Sequence, residues 1–462
     1  MSSHVLTVTN PYTGETIGEV NNSGADEVCS AVASAQDGVG EMRKMPAHRR
    51  AELLQKTSEL LRSDTASLGN LISRESGKTI REARAEVQRA ADIFQIAGEE
   101  ARRLHGETIP FDALSSGVGR TGYWTRVPVG IVGAITPWNV PLALSAHKIA
   151  PALASGNAVI HKPAEQTPLN AIRLHELMLQ AGLPPNAIPL LTGDGESAGD
   201  LLVRHAEVGF ISFTGSRAVG MALPARAGFK RVALELGGNS PVIITQTANI
   251  EEAVTSIVRG GFAVAGQLCI SVQRVLVHIS LMRTMLDALA DKISQMVTGD
   301  PINDNTDMGC LIDSEACDRV ERLVEAARTD GATVVMGGTR QGRSTFAPTL
   351  ITDIRLDGSI ATEEAFGPII ALIPFGSLDE AIEIANSTQY GLNAGIFTSN
   401  LCEAAHAGEL LDAGTVLIND VPTFRSDIMP YGGRKQSGLG REGVRFAMEE
   451  MTETKVICTR TI

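Results

Sequence analysis

Aromatic residues are scarce in this 462-residue chain, at 4% of the total with two Trp and four Tyr. Basic residues are outnumbered too: 40 Lys and Arg stand against 53 Asp and Glu, for a net charge of −13. A nucleic-acid surface needs a clustered basic patch to neutralise phosphates, so no nucleic-acid partner is expected. Apolar stretches are broken by Pro, Gly, Asn or His before reaching about 18 residues, and no membrane span is expected. The opening "MSSHVLTVTNPYTGE" lacks a basic segment followed by an apolar run, which predicts no secretory leader. Six cysteines, Cys29, Cys269, Cys310, Cys317, Cys402 and Cys458, include no C-x-x-C pair. That predicts no metal site, no thioredoxin-like site, and reduced thiols in a cytoplasmic protein. A G-x-G-x-x-G fingerprint after a strand is also missing.

What is present describes a folded globular protein. Hydrophobic residues make up 43% and charged residues 20%, and the length predicts two or three domains. Leucines at three- and four-residue steps predict one long helix over "AELLQKTSELLRSDTASLGNLI". A second covers "IREARAEVQRAADIFQIAGEEARRL". Short apolar runs then alternate with helical stretches: "VGIVGAITPW", "AVIHKP", "VGFISFTGS" and "RVALELGG" read as strands of a parallel, doubly wound sheet. A second series, from "RVLVHIS" to "GTVLIND", reads as another α/β unit.

Each chemical motif admits two readings. In "GGFAVAGQLCISVQR", Cys269 is either a buried structural thiol or a nucleophile. Gly215 and Ser216 of "FISFTGSRAVG" either end a strand at a phosphate-binding helix start or form an ordinary N-cap. Lys162 and Glu165 of "IHKPAEQTP" either face a ligand crevice at a strand end or lie in a solvated loop. Glu235 in "LELGG" is either a carboxylate with a raised pKa or a strand residue turned to solvent. Asn139 of "TPWNVP" is either an oxyanion donor or a turn residue.

The motifs "PWN", "HKPAE", "FTGS", "LELGG", "GQLC", "EEAFGP" and "PYGG" followed by "SGLGREG" occur in one order along the chain. In this the chain resembles the NAD(P)-dependent aldehyde dehydrogenase superfamily over nearly its whole length. "GQLCISVQR" and "NDVPTFRSDIMPYGG" look most like its lactaldehyde and succinate-semialdehyde branch. The resemblance implies two doubly wound parallel α/β domains plus a small β oligomerisation arm. Residues 1–108 and 129–236 would bind NAD(P), and 237–433 would be catalytic. Residues 109–128 and 434–462 would supply the arm and C-terminal strand of a homodimer or homotetramer.

The resemblance also implies roles. Cys269 would be the nucleophile, Asn139 the oxyanion donor and Glu235 the base that activates water, with Lys148 near the site. Cofactor contacts fall on Thr136, Pro137, Trp138, Lys162, Glu165, Gly215, Ser216, Leu236, Gly237, Glu364 and Phe366. The cofactor is expected to be NAD, with NADP as the alternative, because a carboxylate at Glu165 opposes a 2′-phosphate. His147 and Val140 depart from the commoner aromatic residues at their positions. With few aromatics around them, a small polar aldehyde is expected, with His147 and Arg425 as substrate contacts and Asp427 as the alternative partner of Arg425. Competing readings are a CoA-acylating aldehyde dehydrogenase and a non-catalytic NAD-binding scaffold.

Overall fold

The structure, a computed structural model, describes residues 5–460. Five strands form one sheet in the order Gly438–Leu439, Arg231–Glu235, Phe210–Thr214, Ile131–Ile135, Ala158–Lys162. The last four are parallel, and Gly438–Leu439 runs antiparallel along the edge. Both Ile131–Ile135 and Ala158–Lys162 are buried along their whole length, as strands covered by helices on both faces must be. The chain leaves Ile131–Ile135 for one neighbour and later returns to pair on its other side, so the strand order reverses there. Ligands of such folds bind outside the carboxyl ends of strands at such a reversal.

A second sheet holds seven strands in the order Thr333–Met336, Thr349–Thr352, Ile369–Phe375, Val272–His278, Ser240–Ile244, Asn393–Phe397, Thr415–Ile418. Only the edge strand Thr333–Met336 is antiparallel to its neighbour. A three-stranded arm pairs Thr452–Arg460 with Arg120–Pro128, which in turn pairs with Glu107–Thr108. Of the C-terminal stretch expected in the arm, Gly438–Leu439 instead joins the five-stranded sheet, and helix Val444–Glu450 packs on helix Pro141–Ala154.

The first predicted helix is two. Asp64, with φ −95° and ψ 8°, ends Ala47–Ser63 and begins Thr65–Ser76, and its carboxylate accepts from Arg173 Nε at 2.8 Å. The leucine pattern continues through the break because both helices bury leucines against one core. Helix Ile80–Glu100 follows the expected bounds closely and starts with a capping box between Thr79 and Glu82.

Candidate active site

Helix Pro141–Ala154 is buried on every side. His147 and Lys148 sit within it, so neither can carry charge there without a partner. Its N-terminus has no side-chain cap of its own. Glu86, from helix Ile80–Glu100, accepts from Leu142 N and Ala143 N at 2.8 and 3.1 Å, and its other oxygen bonds buried Lys78. This cap fixes the start of the helix directly after Asn139.

Cys269 lies in the turn before strand Val272–His278. The approach to it is strained: Val264, Ala265 and Gly266 have φ of 52°, 54° and 73°. Left-handed backbone at a β-branched residue persists only when surroundings hold it. Glu82 Oε1 accepts from Val264 N at 2.8 Å, and Gln267 Nε2 donates to Val264 O at 3.0 Å. Asn139 Nδ2 donates to Gln267 O at 2.8 Å, which ties the amide to the cysteine turn and leaves its second N–H free. Gly238 is required beside this turn, since a Cβ there would stand 2.1 Å from the Cys269 carbonyl oxygen.

Burial pushes the Cys269 thiol up to about 11; Tyr431 and Arg425 pull it down while Glu364 and Glu235 push it further up. Its Sγ is 3.5 Å from Tyr431 Oη. Glu235 ends the strand Arg231–Glu235 and is 4% exposed, which settles its orientation as inward. Burial, then the charge of Glu442, raise its carboxyl well above the ordinary value, and Oε2 has no partner among the described residues.

Glu442 organises the rest. It accepts from Lys148 Nζ at 2.7 Å and from Arg425 Nη2 at 3.0 Å. Burial opposes its ionisation, but the two cations hold its carboxyl well below the usual range. Arg425 lies 3.7 Å above the Tyr431 ring centroid. The expected alternative partner, Asp427, is 4.0 Å from Arg425 and belongs to another pair. Asp427 accepts from Arg89 at 2.7 Å and from His147 Nε2 at 2.8 Å. Burial lowers His147 to about 4, so at neutral pH it is uncharged and its Nδ1 is an acceptor without a partner.

The expected cofactor residues gather at the carboxyl ends of the first sheet. Thr136, Pro137 and Trp138 follow Ile131–Ile135, and Gly215 and Ser216 follow Phe210–Thr214. Ser216 caps the eleven-residue helix Arg217–Ala227. Lys162 and Glu165 meet at 3.4 Å, with Lys162 buried and lowered by that burial, and Glu165 40% exposed. Leu236 N donates to Ser437 O at 2.9 Å. Glu364 Oε1 accepts from Gly238 N at 3.0 Å, and a Cβ at Gly237 would stand 2.3 Å from Glu364 Oε2. Burial raises Glu364 to about 7, against the Gly238 hydrogen bond and Arg319. Phe366, at φ 43°, packs edge-on to Trp138 with centroids 5.5 Å apart. A ribose fits this donor set: the Glu364 carboxylate, whose Oε1 is taken by Gly238 N and whose Oε2 has no hydrogen bond among the described residues, a helix start for pyrophosphate, and an aromatic pair to flank a flat ring.

Sequence reasoning missed Glu442, Tyr431 and Arg89 as site residues, and named Asp427 only as a partner of Arg425. The first two stand inside quoted motifs, "SGLGREG" and "PYGG", without a neighbour in sequence to reveal their partners. Arg89 lies mid-helix with no local signal.

The Aldehyde dehydrogenase family matches residues 1–457. A 3-sulfolactaldehyde dehydrogenase of Priestia aryabhattai is 41% identical over 452 residues, covering 98% of this chain and 94% of the relative. A lactaldehyde dehydrogenase of Methanococcus aeolicus is 38% identical over 460 residues, covering 99% and 97%. The structure is similar to that of glyceraldehyde-3-phosphate dehydrogenase GapN from Methanocaldococcus jannaschii, complexed with NADP, at 38% identity and a TM-score of 0.95 over 100% of both chains. With the motif order, the two sheets and the buried cysteine turn in agreement with such coverage, the chain belongs to the aldehyde dehydrogenase family and is an NAD(P)-dependent aldehyde dehydrogenase.

Proposed function

We propose that this enzyme oxidises a short 2-hydroxy aldehyde carrying an acidic group at its far end, through a thioester on Cys269. The observation that carries the reading is Arg425. Its side chain is 6% exposed, its Nε has no hydrogen-bond partner among the described residues and only Asp427 at 4.0 Å, and it stacks on the ring whose hydroxyl reaches Cys269 Sγ. Two buried cations, Lys148 and Arg425, share one anion in Glu442. A substrate carboxylate, sulfonate or phosphate would give Arg425 Nε the charge-assisted hydrogen bond it lacks. The names of the relatives, sulfolactaldehyde, lactaldehyde and glyceraldehyde-3-phosphate dehydrogenase, share a hydroxyl next to the aldehyde, and two of the three carry a distal acid.

In this reading Cys269 Sγ attacks the carbonyl carbon, and the oxygen takes the negative charge. The second N–H of Asn139 and the Cys269 backbone N–H stabilise it. NAD(P), when bound, would supply the acceptor for the hydride that leaves this carbon, and the carbonyl then reforms as a thioester on Cys269. Glu235 then takes a proton from water, whose oxygen attacks the thioester; the C–S bond breaks, and the acid and thiolate separate. Glu364 and Phe366 hold the nicotinamide end, with Trp138, Gly237 and Leu236 beside them. Lys162 and Glu165 hold the adenosine ribose, and Thr136, Pro137, Gly215 and Ser216 line the path between. Glu165 supports a preference for NAD.

The same reading takes residues 1–108 and 129–236 as the cofactor domain, 237–433 as the catalytic domain, and the arm as the contact of a homodimer or homotetramer. Free cysteines scattered along the chain support a reducing, cytoplasmic setting. The test is NADH or NADPH production from charged and neutral aldehydes. Cys269→Ala is expected to abolish it. Arg425→Ala is expected to raise KM for the anionic aldehyde about 10- to 100-fold more than for propanal. Equal effects on both substrates overturn the assignment of Arg425.

A further inference from the structure

Tyr431 is 1% exposed, and its hydroxyl has one polar partner among the described residues, Cys269 Sγ at 3.5 Å. A phenylalanine would fill the same space without the penalty of burying a hydroxyl, so the ring alone does not account for this residue. Arg425 lies over the ring face at 3.7 Å, and its guanidinium is held there by Glu442. A cation on that face draws density from the ring and makes the phenolic O–H a stronger donor.

We propose that Tyr431 is a catalytic residue: its O–H, sharpened by Arg425, donates to Cys269 Sγ and holds the thiolate ready for attack. The inference rests on Cys269 being the nucleophile. Sulfur in the thiol form is a weak acceptor, whereas a thiolate accepts a charge-assisted hydrogen bond. The contact therefore favours the ionised form selectively, as the proton leaves for solvent. The same donor serves again when the C–S bond of the thioester breaks and the sulfur departs as thiolate. The phenol is suited to this because it cannot compete for ionisation. Burial, then the neighbouring thiol, raise it well above its ordinary value, so it remains protonated. The charged groups that face the thiol are Glu364 and Glu235, which oppose ionisation, and Arg425, which favours it. Lys148 and Glu442 complete the set around Glu235 and Arg425.

The test is the pH dependence of Cys269 alkylation by iodoacetamide in the enzyme without substrate, with the modified peptide identified by mass spectrometry. Tyr431→Phe keeps the ring and is expected to move the alkylation midpoint up by about one pH unit, slowing the reaction about tenfold below it. Replacing Tyr431 with 3-fluorotyrosine keeps both ring and hydroxyl, makes the phenol more acidic, and is expected to move the midpoint down. A packing role moves neither midpoint, and midpoints that coincide with the unmodified enzyme overturn the proposal. Loss of NADH production in Cys269→Ala tests the nucleophile separately, so failure of one assignment is distinguishable from failure of the other.

Discussion

At the scale of single residues, the site is a small set of buried charged groups packed close together. Lys148 and Arg425 share Glu442, while Glu235 is buried beside them with one oxygen unpaired. That arrangement explains why the two buried carboxyls differ. Glu442 has two cations on its oxygens and stays ionised; Glu235 is governed by burial and by the Glu442 charge, so its proton affinity is raised. A base works when deprotonated. Raising its pKa therefore moves the acid limb of kcat upward, and kcat is expected to rise with pH through a midpoint above the ordinary carboxylate range. Glu235→Gln is expected to remove that limb and to lower kcat by about 100- to 10,000-fold. A burst of NADH should remain, read by stopped flow, because hydride transfer precedes the step that needs the base.

At the scale of elements, the helix Pro141–Ala154 shows how the Asn139 amide is aimed from a distance. The helix has proline at its first position and no local cap. The cap comes from Glu86 on another helix, and that carboxylate is held by Lys78, with both side chains buried. Removing the lysine leaves an uncompensated buried charge. Lys78→Met is expected to lower stability by about 3–5 kcal/mol in urea unfolding. Adding Glu86→Gln is expected to recover part of that loss, because the stranded charge is gone. The strained turn ahead of Cys269 is held on the same principle, with Glu82 accepting from Val264 N while capping its own helix at Thr79. Helix Ile80–Glu100 thus anchors both the helix start that follows Asn139 and the turn ahead of Cys269, through two side chains one turn apart.

At the scale of the whole molecule, the two sheets meet where the chain passes from Arg231–Glu235 to Ser240–Ile244, and Glu235, Gly237 and Gly238 lie in that passage. The site therefore sits at the junction, with Glu235 supplied by one sheet and the cysteine turn by the other. The arm projects differently. Strand Thr452–Arg460 is exposed along all but its first residue, and Tyr123, Val456 and Ile457 present apolar side chains to solvent. A long edge strand of this kind pairs with another chain unless it is covered. If the arm forms the contact between subunits, Tyr123→Asp is expected to weaken assembly about tenfold or more. Sedimentation velocity reads that change directly, and an unaltered profile places the contact elsewhere.

The sequence by itself determined the alternation of strands and helices, the order of the motifs, and the positions of Cys269, Glu235 and Asn139. Each of these is a local pattern: a strand fixes where its carboxyl end lies, and a short turn motif travels with it. Tertiary structure decided the partners. Lys148 and Glu442 are 294 residues apart in the chain, and nothing near either announces the other. Arg425 stands two residues from Asp427 yet hydrogen-bonds Glu442 at 3.0 Å and keeps Asp427 only at 4.0 Å, because Asp427 is bonded by Arg89 and His147 from two helices. The break at Asp64 likewise depends on Arg173, which arrives from a distant helix. Local spacing sets which side chains are available; which of them become ion pairs depends on the elements that meet in space and on the burial that makes an unpaired charge too costly to keep.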